Sequence, residues 1–201
     1  MTGIGLSAME PTALSECRLT RTNQLLLLDL ARASIRHGVQ AGRPLTVVLE
    51  ELTDELVVLR ASFVTLEKNG RLRGCIGSLE AWRPLAVDVA ENAFAAAFRD
   101  PRFPPVHSEE VEELEIHLSL LTEPVAMTFS SEADLLAQLR PGVDGLILSA
   151  GPCRGTFLPS VWAELATPPL FLSQLKRKAG LAADYWSPSV RIWRYETEMV
   201  E

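Results

Sequence analysis

The chain has 201 residues, 47% of them hydrophobic and 22% charged, with a net charge of -7. That length supports a sizeable core, and the acidic balance excludes a general electrostatic grip on nucleic acid or an anionic membrane, since both need clustered Lys and Arg. The three cysteines, Cys17, Cys75 and Cys153, are too widely spaced for a metal knuckle or a redox CxxC, which fits a reducing, cytoplasmic setting. No apolar run approaches the roughly 18 residues of a membrane helix. Met1 to Cys17 lacks the basic start of a secretory signal and reads as a loose tail, with residues 18–201 as one domain.

Thr20 or Thr22 caps a helix running to about His37, with Gly38 as its stop. Residues 45–59 mix helical and strand patterns and stay open. Ala61 to Leu66 is a strand, and Asn69-Gly70 is the strongest short hairpin signal, so residues 71–77 run back antiparallel. Strict alternation on that returning strand puts Arg71, Arg73 and Cys75 on one face, and Leu72, Gly74 and Ile76 on the other, with Leu72 and Ile76 in the core. Gly74 and Gly77 either take positive φ or a bulge, or admit a close neighbour.

Pro84 opens a helix from Leu85 to about Arg99, apolar and small except for Asp88, Glu91, Asn92 and Arg99. Asp100-Pro101-Arg102-Phe103-Pro104-Pro105 stops it in a stiff loop. That loop either presents Asp100 and Arg102 as a site or uses them as a pair that holds the turn. Leu114 to Leu120 alternates as a half-buried strand with His117 on its polar face. A short helix capped at Ser130 or Ser131, a hairpin around Gly151 and an exposed or capping segment from Pro159 to Trp162 follow. Then come a helix from Pro168 to Ala179 and a closing strand from Val190 to Glu196. Lys176 and Arg177 suit the last turns of that helix, where cations complement the dipole. The pattern is α+β with a mainly antiparallel sheet and a strand–helix–strand theme stated twice.

Five stretches resemble the AMMECR1-domain family. They are Phe63-Val64-Thr65-Leu66, Leu72-Arg73-Gly74-Cys75-Ile76-Gly77, Asp100 to Pro105, Thr156 to Trp162, and Lys178-Ala179-Gly180-Leu181. Together they span about residues 20–197, and the second matches the family's hallmark motif in full. Ser160 stands where many members carry Gln. The resemblance implies a larger and a smaller lobe with a cleft between them, and no settled activity. It also implies a link to Memo-like proteins and a radical SAM protein.

Cys75 is the candidate nucleophile, since a thiol acts as thiolate and nearby cations favour that form. Its alternative is a small structural cysteine at a tight strand end. Arg73, Asp100, Arg102 and Lys178 are the candidate binding residues for a small anionic substrate, the arginines for their planar forks. Spacing alone supplies no general base, although Asp100, Glu80 or Lys178 could approach in the fold, and the residues imply no metal or cofactor. Three functions remain open. They are an enzyme acting on a small anionic substrate with Cys75 in the cleft, a docking module that uses the same cleft for a Memo-like or radical SAM partner and carries an apolar patch near Pro159 to Trp162, and a nucleic-acid binder with a local basic stripe.

Overall fold

The computed structural model describes residues 18–201, so the expected tail lies outside the described residues. Helix α1, Arg21–Ala41, starts at Thr20, whose side chain accepts the Asn23 N–H. It runs past the expected stop at Gly38 and ends at Gly42 (φ 67°). Gly38 is instead a crossing point, because a Cβ there would lie 2.4 Å from the Phe98 ring. The open stretch before the first strand holds a 3-10 turn, Leu49–Glu51, and a single-turn helix α2, Asp54–Val57.

Strands β1, Ser62–Lys68, and β2, Arg71–Gly77, form the expected hairpin, with Asn69 at φ 54° and Gly70 at φ 67°. Helix α3, Leu85–Phe98, follows, then β3, Glu115–Leu121, and a two-residue strand β4, Val125–Ala126. Helix α4, Glu132–Gln138, leads into the hairpin of β5, Gly145–Ala150, and β6, Cys153–Phe157. Helix α5, Pro168–Lys178, strand β7, Arg191–Tyr195, and strand β8, Thr197–Val200, complete the chain.

The strands make two antiparallel sheets, ordered β2-β1-β3-β8 and β4-β7-β5-β6. Each contains the same unit, a hairpin, a helix and a strand that returns beside the hairpin's first strand. The units exchange their last strands. β4 follows β3 in the chain but pairs with β7, and β8 follows β7 but pairs with β3. The first sheet buries Val64, Leu66, Ile116 and Leu118 against α1 and α3. The second buries Leu146, Leu148 and Ile192 against α5 and the Trp162–Phe171 stack. A smaller cluster, with Ala61, Leu121, Ile147 and Tyr195 at its centre, joins the two.

The Pro159–Trp162 segment is not the exposed one of its two alternatives, and Lys176 does more than sit in the last turn of α5. Trp162 is buried and donates its indole N–H to the Asp144 carbonyl, so the Pro159–Trp162 segment presents no apolar patch. Lys176 is fully buried and ion-paired with Glu132 at 2.7 Å, a stronger constraint than a helix dipole. Among the described residues no helix is long and apolar enough to cross a membrane.

Candidate functional site

The hallmark stretch is β2, the outer strand of its sheet. Leu66 pairs with Gly74 but Glu67 pairs with Leu72, so Arg73 is an extra, bulged residue. The bulge breaks the alternation assumed from sequence. Leu72 turns to the face shared with Glu67 and is 43% exposed rather than in the core. Arg73 reaches over the sheet edge, where it donates to the carbonyls of Pro104 (2.9 Å) and Pro105 (3.3 Å) and to both oxygens of Glu110. That pairing pulls the Glu110 carboxyl down to about 2. Arg73 therefore holds the proline loop in place, and its charge is occupied there.

Neither Gly74 nor Gly77 has positive φ; both admit a close neighbour. A Cβ on Gly74 would fall 2.2 Å from the Ala96 carbonyl oxygen, so β2 lies directly on the backbone of α3. A Cβ on Gly77 would meet the Phe63 ring at 2.2 Å.

Cys75 lies opposite Thr65 on the face turned away from the helices, and the Thr65 hydroxyl donates to its Sγ at 3.3 Å. Its peptide N–H points outward from the sheet and donates to Asp100 Oδ2 at 2.9 Å. Its carbonyl accepts from Arg102 Nη2 at 3.3 Å. Asp100 and Arg102 thus occupy the place of a neighbouring strand and close the sheet edge at this residue. Within the pair, Arg102 Nε and Nη2 reach the Asp100 oxygens at 3.0 and 2.7 Å. The fork holds the buried Asp100 carboxyl well below the ordinary carboxylate range, reinforced by the Cys75 and Arg102 N–H groups against the opposing effect of burial. The Arg102 side chain is 54% exposed, and its Nη1 has no partner among the described residues.

The third strand completes the row, since His117 lies opposite Thr65 on the other side. Its Nδ1 is 3.2 Å from Glu201 Oε2. One donor atom each from Glu67, Glu115 and His117 falls within 4.8 Å of the others, so these three could hold a divalent cation. The corresponding row of the second sheet is Thr156, Ile147 and Trp193. Lys178 stands on α5, its Nζ 5.0 Å above the Phe157 ring in the second unit, and among the described residues no contact joins it to Cys75, Asp100 or Arg102.

One feature escapes sequence reading. Asp88, 1% exposed, accepts from the Ser62 N–H and hydroxyl, Asn92 Nδ2 and Arg83 Nε, a buried network that ties α3 to β1. Its only signal was two polar residues four apart in a helix of small apolar ones. A groove of about 490 Å³ lies between the Leu79–Ala81 and Glu123–Pro124 segments of the first unit and Ile147, Ser149, Arg154 and Trp193 of the second, and Cys75 is not among its lining residues. An Arg154–Glu80 ion pair at 2.6 Å bridges it.

The AMMECR1 family profile matches residues 28–200. A protein of Methanothermobacter thermautotrophicus is 38% identical over 183 residues, covering 90% of this chain and 95% of that one. A protein of Methanocaldococcus jannaschii is 36% identical over 187 residues, covering 91% and 92%. The crystal structure of the uncharacterized protein PH0010 from Pyrococcus horikoshii superposes with a TM-score of 0.78 at 31% identity, covering 87% of this chain and 88% of that one. With the hallmark strand, the Asp100–Arg102 loop and the paired units in place, the chain belongs to the AMMECR1 family.

Proposed function

We propose that the protein is an enzyme that acts on a small anionic substrate with Cys75 at the centre of its site. The observation that carries this reading is the setting of the thiol, on the open face of the sheet, receiving the Thr65 hydroxyl, with the Arg102 guanidinium held at the same residue by its bond to the Cys75 carbonyl. Asp100 acts as a positioning residue that fixes Arg102 from behind and leaves its Nη1 edge for a carboxylate or phosphate. Arg73 supports the same loop through Glu110 and the proline carbonyls. His117 sits two strand spacings from Cys75, roughly 10 Å, so a proton would pass between them through substrate or water.

The test compares iodoacetate, an anion, with neutral iodoacetamide, following Cys75 and Cys153 by peptide mass spectrometry. The reading expects Cys75 to react in the folded protein, with an iodoacetate preference over Cys153 of roughly threefold to tenfold that Arg102→Gln removes. Resistance of Cys75 to both reagents until unfolding overturns it. That outcome would favour a second reading, a docking module for a Memo-like or radical SAM partner. Its support is the exposure of Val58, Leu59 and Trp82 (65%), with Leu59 bridged to Pro84.

A further inference from the structure

The groove between the two units is a separate site from Cys75, because neither Cys75 nor Arg102 lines it. Its volume is that of an ordinary small-molecule pocket. Its polar groups are unevenly committed. Arg154, the guanidinium among the lining residues, is neutralised by Glu80 at 2.6 Å. The Glu123 carboxylate, the Ser149 hydroxyl and the Trp193 indole N–H have no hydrogen-bond or ionic partner among the described residues. Two carboxylates against one guanidinium leave this lining one net negative charge, carried by Glu123; the two arginines of the adjoining crevice that Glu123 also borders, Arg140 and Arg194, are paired with Asp144 and Glu196. The apolar lining is Leu79, Pro124, Ile147 and the half-buried Trp193 ring. A ring of this kind attracts a cation over its face, and most strongly when the ring is an indole.

We infer that this groove binds a small organic cation, an ammonium or guanidinium carried on an apolar stem. The stem lies against Leu79, Ile147 and Trp193, and the charged head meets Glu123 and the indole face. An anion of the same shape meets the uncompensated Glu123 carboxylate instead, because the Glu80 pairing has already occupied Arg154. This site is independent of thiol chemistry at Cys75, and a substrate for that thiol need not enter it.

The probe is phenethylammonium, titrated into 15N-labelled full-length protein, with 3-phenylpropionate and 2-phenylethanol as anionic and neutral controls. The chain has four tryptophans, so four indole N–H signals are expected, and the one lost in Trp193→Phe identifies Trp193. The expected result is a saturable shift of that signal with the cation and none with the anion. Glu123→Gln, a change at an exposed position, weakens binding by roughly threefold to tenfold. The proposal is overturned if the signal does not saturate, if alcohol or anion shifts it as much as the cation, or if Glu123→Gln binds as tightly as wild type. Cys75→Ser is expected to bind the cation unchanged, so an inert thiol in the alkylation test would leave the groove assignment standing.

Discussion

Asp100→Asn isolates the interaction that fixes Cys75 and Arg102. The carboxylate accepts from two guanidinium nitrogens, at 2.7 and 3.0 Å, and from the Cys75 N–H at 2.9 Å. The amide keeps one oxygen for a donor, but its NH2 then faces the guanidinium. Hydrogen bonds to charged groups contribute about 1.5–3 kcal/mol each, and the half-exposed partner places the total for this change near 2 kcal/mol. The folded-state pKa of Asp100 is depressed, so its contribution is complete above the ordinary carboxylate value of 3.8 and is lost as pH falls below it towards the folded value. Urea unfolding should therefore separate wild type from Asp100→Asn by about 2 kcal/mol at neutral pH and close more than half of that gap by about pH 2.5. Glu110, held near 2 by Arg73, titrates in the same window in both proteins and cancels. A gap of the same size at pH 2.5 and at pH 7, or none at pH 7, would refute the account of Asp100 as an ionised edge cap.

The remaining predictions concern the hallmark strand. Gly74→Ala drives a Cβ to 2.2 Å from a backbone carbonyl, which cannot swing aside, whereas Gly155→Ala meets the Ala179 nitrogen at 2.9 Å. Gly74→Ala should cost about 3 kcal/mol and Gly155→Ala about 1–2, measured by chemical denaturation, and the reverse order would contradict the close packing of β2 on α3. Leu72→Thr should change stability by less than about 0.5 kcal/mol, because the bulge leaves Leu72 on the open face. A loss of about 2–3 kcal/mol would mean that Leu72 is buried and the strand unbulged.

Local signals carried much of the fold. Asn69-Gly70 specified the first hairpin because both residues need positive φ, and the alternation from Leu114 to Leu120 specified β3. The misses were non-local. Gly38 looked like a stop because helix-ending glycines are common, but it is a contact with Phe98, which lies 60 residues away in sequence. The bulge at Arg73 is set by Glu110 and the proline carbonyls, and no window around Arg73 contains them. In the site, Asp100 and Arg102 were legible as a pair on a rigid loop. Their role as partners for the Cys75 peptide depends on β2 being an edge strand, which only sheet order reveals. The distance of Lys178 from that pair has the same cause, since α5 packs on the other sheet.

The repeated unit gives a reason to look for chemistry at Cys75 that does not depend on the cysteine alone. Both units set a strand glycine against an alanine of the helix that follows, Gly74 on Ala96 within α3 and Gly155 on Ala179 at the end of α5, so the scaffold imposes the same demand twice. The rows beside those glycines then diverge. The second unit places Thr156, Ile147 and Trp193 there, and Ile147 and Trp193 pack into the junction between the sheets. The first unit places Cys75, Thr65 and His117 at the same positions, and there the central residue, Thr65, is half-exposed where Ile147 is buried. The second row shows that the scaffold accepts apolar residues at the positions of Thr65 and His117, and that the hydroxyl of Thr156, at the position of Cys75, is tied to the Leu146 carbonyl. The polar, titratable row, and the Asp100–Arg102 cap beside it, are what the first unit has beyond the needs of the fold, and exposed polar groups held on a rigid scaffold are where binding and catalysis are most often built.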